Sequence, residues 1–217
     1  MMRLTEEICA GAAQEVLGTT ELVYQDRPMR LTTPWPRRSM ADLTSEAVGE
    51  SVSVHTARER FVELLHAREV TVASSWGTGR CLAELFEVSC EQSLWDPIFV
   101  TEFPLEVSPL SRQHRDDGEL TERFEVYAAG RELANGFSEL IDPDDQRKRF
   151  EDQARLKAEG EQETMEIDED YIKSLEWGLP PTAGLGIGID RLAMLIANAS
   201  NIREIIAFPT LKPLRDN

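Results

Sequence analysis

Apolar residues near the start of the chain recur at helical spacing. Leu4, Ile8, Ala12 and Val16 form one stripe and predict a helix over residues 4–17, with Gly18 as its stop. ELVYQ and MRLTT flank Asp26-Arg27-Pro28 and predict a hairpin turning there. Pro34 and Pro36 then interrupt, and Ser39 is placed to cap a helix over Met40–Val48. Two more helices are predicted: 56–68, with Phe61, Leu64 and Leu65 inward, and 79–90, with Leu82, Leu85 and Phe86 inward. After Pro97 the period shortens to two, so IFVTEF, RFEVYAAG and RELANGFSEL read as strands. A charged helix over 143–158 follows, then the acidic connector EGEQETMEIDED and a short helix over 171–177 stopped by Gly178 and two prolines. A glycine-rich strand, a helix from Asp190 to about Ala197, and IIAFPTLKPL close the chain. Helices and antiparallel strands in mixed order predict an α+β fold, mainly helical over 1–96 and sheet-centred over 97–217.

Composition narrows the function classes. With 217 residues the chain can bury one sizeable core, and 41% hydrophobic against 29% charged residues is ordinary for a soluble protein. A net charge of −17 argues against this chain alone gripping nucleic acid, and suits metal ions or cationic substrates. No apolar run reaches membrane-span length, and the first residues lack a signal-peptide layout. Cys9, Cys81 and Cys90 are odd in number and not spaced as a zinc site, which predicts reduced thiols in the cytoplasm. His55, His66 and His114 are scattered and suggest no metal cluster.

GLGIGIDRLAML, residues 184–195, carries the first candidate chemistry. Its spacing is G-x-G-x-G, a strand period, and not the G-x-G-x-x-G of a dinucleotide turn; G-x-x-x-x-G-K-[ST] is absent. Leu185, Ile187 and Ile189 are expected on one face; Gly184, Gly186, Gly188 and Asp190 on the other. A face of bare backbone admits a flat ligand or a packed helix. Arg191 stands where a helix begins, at the positive end of its dipole, so it needs an anion or a nearby carboxylate.

RFEVYAAGRELANGFSEL carries the second. With the turn at Ala129-Gly130, Glu132 falls opposite Tyr127 and Glu125 opposite Ala134, which makes the two glutamates diagonal neighbours about 7 Å apart. Two facing carboxylates repel, so either a cation or a basic side chain is expected between them, or both sit on a solvated face, as abundant acidic residues allow. Asn135, Phe137 and Glu139 alternate on the other parity and need a bulge, which Gly136 permits, to join that face. Glu139 then suits an ammonium group.

FVTEFPLEVSPLSR, RFEVYAAGRELANGFSEL, LPPTAGLGIGIDRLAML and IIAFPTLKP together resemble the C-terminal half of the catalytic domain of bacterial-type class II lysyl-tRNA synthetases. The resemblance runs over essentially the whole chain and is densest after Pro97. It implies part of the class II antiparallel sheet flanked by helices. GLGIGIDRLAML is similar to the third class II signature, which implies that Arg191 binds the triphosphate of ATP and steadies the reacting phosphorus. It further implies that Glu125 and Glu132 hold Mg²⁺ on ATP. Asn135, Phe137 and Glu139 would form the lysine pocket above a floor of Gly184, Gly186 and Gly188. Lysine would be activated as lysyl-adenylate and transferred to tRNA(Lys), with no protein nucleophile.

The chain departs from that pattern in what it lacks. The anticodon-binding barrel and the first two class II signatures are absent from the 217 residues, and His114-Arg115-Asp116-Asp117 matches the second only superficially. An open sheet edge is therefore expected, inviting association with itself or with a complementary chain. Three readings follow: a synthetase portion completed by a partner or by full-length context, a catalytically silent binding module, or a ligase acting on elongation factor P. The pocket of that last ligase resembles this one with an alanine breaking the glycine series, so the presence of Gly184, Gly186 and Gly188 implies α-lysine instead.

Overall fold

The structure, a computed structural model, describes residues 1–158 and 164–208. The start of the predicted acidic connector, 159–163, and the end of IIAFPTLKPL, 209–214, lie outside the described residues.

Helix α1 (Met2–Leu17) stops where the sequence predicts, at Gly18, whose φ of 73° makes a left-handed C-cap that donates to the Gln14 carbonyl. Strands β1 (Glu21–Tyr24) and β2 (Arg27–Arg30) form the predicted hairpin, but it turns at Gln25-Asp26, with φ of 49° and 62°. Arg27 and Pro28 pair with Tyr24 and Val23 and so belong to the strand. A two-residue turn with both φ positive matches the strands' twist.

β3 (Arg37–Ser39) has no counterpart in the sequence reading; it lies parallel to β4 (Ile98–Thr101), with Arg37 opposite Phe99. Ser39 then caps α2 (Met40–Val48), accepting from Asp42 N at 3.0 Å. α3 (Arg58–His66) and α4 (Thr78–Ser89) bury the predicted Phe61, Leu64, Leu65, Leu82, Leu85 and Phe86. β5 (Arg123–Ala128), β6 (Arg131–Ser138), α5 (Pro143–Ala158), α6 (Glu169–Glu176), β7 (Ala183–Ile187) and α7 (Ile189–Ala197) complete the set.

The main sheet runs β3-β4-β5-β6-β7, parallel only in its first pair. On one face Phe99, Phe124, Val126 and Ala134 pack with Cys9 and Ala13 of α1, the β1–β2 hairpin, and Leu192 and Leu195 of α7. On the other, Val100 and Tyr127 pack beneath α3 and α4, with the Phe86 and Tyr127 rings edge-on at 5.5 Å. Farther along that second face, at β6 and β7, the backbone lies open. A Cβ added at Gly186 would meet only the Asn135 carbonyl, at 3.8 Å.

Leu185 and Ile187 pack on the core as predicted, whereas Ile189 is 66% exposed because it starts α7 instead of continuing the strand. Glu139 N donates to the Thr182 carbonyl and Gly188 N to the Leu133 carbonyl, so the glycines' peptide groups face β6. Those of Ala183, Leu185 and Ile187 face outward along an edge that no described strand covers. Among the described residues no helix is long and apolar enough to cross a membrane.

Candidate active site

The hairpin β5–β6 carries a bulge, as the alternation of its polar residues requires, but not at Gly136. Tyr127 stands opposite Glu132 and Val126 opposite Ala134, so Leu133 is the extra residue. Leu133 and Ala134 both turn into the core, 3% and 2% exposed, and the apolar core thereby selects the bulge position. One correction follows at once: Glu125 faces Asn135, not Ala134. The bulge places Glu132, Tyr127, Glu125, Asn135 and Phe137 on one face, and Gly186 and Gly184 continue it opposite Asn135 and Phe137. Gly136 serves the opposite face, where a Cβ would lie 2.6 Å from Cζ of the Phe124 ring.

The two carboxylates of the hairpin each have an arginine. Glu125 is buried, accepting from Arg123 Nη2 at 2.5 Å and from the Tyr127 hydroxyl at 2.6 Å. Burial holds its carboxyl above the ordinary range, opposed by Arg123 and the Tyr127 bond and reinforced by Glu132. Glu132 is 42% exposed; its carbonyl accepts from Arg191 Nη1, and its carboxylate lies 3.7 Å from the same group. Of the two partners open to Arg191, the fold thus supplies the carboxylate, in a pair exposed enough to exchange readily for another anion.

A third carboxyl, Glu91 at the end of α4, is raised by its own burial and by Glu87, Glu125 and Glu132, and lowered by Arg191. Glu132 and Arg191 line a small cleft with Leu133 and Met194, which Glu125 does not line. Glu132 and Arg191 thus share an exposed cleft, while Glu125 lies buried beside it. Arg191 follows Gly188, the N-cap of α7, which has no side chain to cap the first-turn N–H groups.

Among the described residues no three His, Cys, Asp or Glu side chains converge to hold a metal. Glu125 and Glu132 offer hard oxygen donors from two carboxylates, and Arg123 and Tyr127 use only part of the lone-pair capacity of Glu125. That donor set fits an ion such as Mg²⁺, which arrives with phosphate and water ligands of its own.

Glu139 sits elsewhere on the same strand surface, in a groove of about 790 Å³ with Leu110, Phe137, Phe150 and Tyr171. Acidic residues rim the groove, but each is occupied: Glu166 pairs with Lys157, Glu169 with Arg147, Asp170 with Lys173, and Asp168 caps α6. The carboxylate of Glu139 has no hydrogen bond or ion pair among the described residues, and burial alone raises its pKa. A Cβ on Gly184 would stand 2.6 Å from its Oε1, so the glycine leaves room for that carboxylate. Asn135 Oδ1 is likewise buried without a donor. An unpaired carboxylate in an acidic, aromatic-walled groove suits an alkylammonium.

Sequence reasoning missed Arg123 and Tyr127, although both lie two residues from Glu125 and so share its face. It also missed Phe150 of α5 and Tyr171 of α6, which line the groove beside Phe137 and Glu139. His114-Arg115-Asp116-Asp117 lies in a loop where Arg115 pairs with Glu122.

A family model described as tRNA synthetases class II (D, K and N) matches residues 1–212. The lysine–tRNA ligase of Synechococcus sp. (strain CC9902) is 48% identical over 214 residues, covering 98% of this chain and 43% of that protein. That of Nostoc punctiforme is 48% identical, covering 98% and 38%; that of Christiangramia forsetii is 42% identical, covering 98% and 37%. The chain thus spans about two fifths of the length of the curated relatives it matches.

Proposed function

The chain belongs to the class II tRNA synthetases (D, K and N), and from that membership we propose that it carries the amino-acid pocket and one wall of the ATP site of a lysine–tRNA ligase. The observation that carries the reading is Glu139, an ionisable group left unpaired among the described residues in a groove of about 790 Å³. Its carboxylate takes the ε-ammonium, Phe137 walls the methylene chain, and Asn135 offers an amide to the polar end. Gly186 leaves backbone open for the substrate, Gly184 makes room for the Glu139 carboxylate, and Gly188 lies against the Arg191 side chain.

Arg191 uses one N–H on the Glu132 carbonyl. The rest of its guanidinium, with the uncapped first turn of α7, faces the triphosphate. Glu125 and Glu132 hold the magnesium that accompanies ATP. The lysine carboxylate oxygen attacks the α-phosphorus, pyrophosphate leaves, and the resulting lysyl-adenylate passes its acyl group to a ribose hydroxyl of tRNA(Lys) as AMP leaves. Alignment and charge neutralisation supply the catalysis, so no side-chain nucleophile is needed.

The buried thiols of Cys9, Cys81 and Cys90 support a cytoplasmic setting, and the open β7 edge supports association with itself or a complementary chain. Lysine-dependent exchange of pyrophosphate into ATP tests the assignment. Exchange abolished by Glu139→Gln in a folded protein agrees with it. Exchange preferring β-lysine indicates the elongation factor P ligase instead, and lysine binding without exchange indicates a silent module.

A further inference from the structure

Arg123, Glu125 and Tyr127 occupy alternate positions of β5, so their side chains stand in a row on one face of the strand. The outer two both donate to the middle one, and to different oxygens: Arg123 Nη2 to Oε1 at 2.5 Å and the Tyr127 hydroxyl to Oε2 at 2.6 Å. We infer that Arg123 and Tyr127 are positioning residues that fix the Glu125 carboxylate for a divalent cation delivered with a polyphosphate, an inference that rests on the metal role assigned to Glu125 above.

Neither donor is free to follow Glu125 if it turns. Arg123 Nη1 also donates to the Val107 carbonyl and the Ser108 hydroxyl, each at 3.0 Å, and its guanidinium lies 4.7 Å from the Phe103 ring centre. The Tyr127 ring is held edge-on by Phe86 in the core beneath α4. Glu125 is thus gripped at both oxygens by groups anchored to different parts of the fold. Each oxygen keeps a lone pair, and Glu132 stands diagonal to it on the same face.

The Val107–Ser108 turn is continuous with Leu110, which lines the Glu139 groove. α5 holds the same segment from the other side, through Gln146 to the Pro109 carbonyl at 3.2 Å and Arg149 to the Ser111 carbonyl at 2.7 Å. Arg123 therefore references the metal-facing carboxylate to the wall of the amino-acid pocket. Hydrogen-bond partners behind a metal ligand contribute on the order of 10-fold or more to metal affinity.

The test is Mn²⁺ binding to the 217-residue chain, followed by electron paramagnetic resonance with and without ATP. Tyr127→Phe keeps the ring on Phe86 and removes only the donor. Arg123→Lys keeps the charge and removes the fork. Each is expected to weaken Mn²⁺ binding in the presence of ATP on the order of 10-fold and to leave metal-free ATP binding unchanged, a split that a purely structural ion pair does not produce. Glu125→Gln separates the two levels. If it weakens Mn²⁺ binding while Tyr127→Phe and Arg123→Lys do not, the positioning role is overturned and the metal role of Glu125 stands. If it changes nothing, or the unsubstituted chain binds no Mn²⁺ with ATP, the metal role fails and the positioning role with it.

Discussion

Gly184→Ala separates fold from function at a single atom. The added Cβ would lie 2.6 Å from Oε1 and 3.8 Å from Cδ of Glu139, and real Cβ atoms essentially never show contacts under 3.0 Å. The obstacle is the tip of a flexible side chain, so the carboxylate rotates away and the backbone stays. A strand alanine in place of glycine gains about 0.5–1 kcal/mol of backbone entropy, which offsets most of the cost of turning Glu139. Stability in urea should therefore change by no more than about 1 kcal/mol.

Lysine, however, loses its ion-paired hydrogen bond, worth about 1.5–3 kcal/mol. At 1.4 kcal/mol per decade that is a weakening of roughly 10- to 150-fold. Calorimetric titration with lysine and with norleucine, which lacks the ammonium, reads the effect directly. The preference for lysine over norleucine should collapse in the variant. If Gly184→Ala keeps that preference, or loses it only together with its stability, Glu139 is not the ammonium partner in the orientation described.

Gly136→Ala should behave in the opposite way. Its Cβ would meet the buried Phe124 ring at 2.6 Å and the Gly184 carbonyl at 3.0 Å, neither of which can swing clear, and urea unfolding should register a loss of about 1–3 kcal/mol. Ser39→Ala removes the acceptor for Asp42 N and should cost about 0.5–2 kcal/mol by the same measurement. Glu139 has its pKa raised by burial, so between the ordinary carboxylate range and that raised value the folded state binds more protons than the unfolded one. Stability then falls as pH rises through this window. Glu139→Gln should gain stability relative to the unsubstituted chain over the same rise, and an unchanged or opposite difference in urea midpoints with pH would contradict the burial. Lysine binding, which needs the ionised form, should strengthen across that window in a pH series of titrations.

The candidate site was legible where chemistry and local period coincide. A carboxylate hairpin, a side-chain-free strand and an arginine at a helix start can each be recognised from a dozen residues. The need for a bulge was equally visible, because Glu132 and the series Asn135, Phe137 and Glu139 have opposite parity. Its position was not. The extra residue goes where the core takes two successive apolar side chains, Leu133 and Ala134, and that depends on α1 and α7 packing beneath.

Most elements follow from the sequence alone: helices from their 3.6-residue stripes and caps at Gly18 and Ser39, strands from alternation, and the glycine series from its period of two. Tertiary structure decided what short or polar segments could not encode. β3, only Arg-Arg-Ser, becomes a strand because β4 offers it an edge. Ile189 leaves the strand pattern because α7 begins there. Glu125 takes Arg123 and Tyr127 from its own strand, but the groups that anchor those two, Val107, Ser108 and Phe86, and the groove in which Glu139 remains unpaired come from distant parts of the chain. Local periodicity specifies the direction a side chain takes from its own backbone. The surroundings that bury, anchor or leave a group unpaired come from elements far away in sequence, and only closure of the fold brings them into contact.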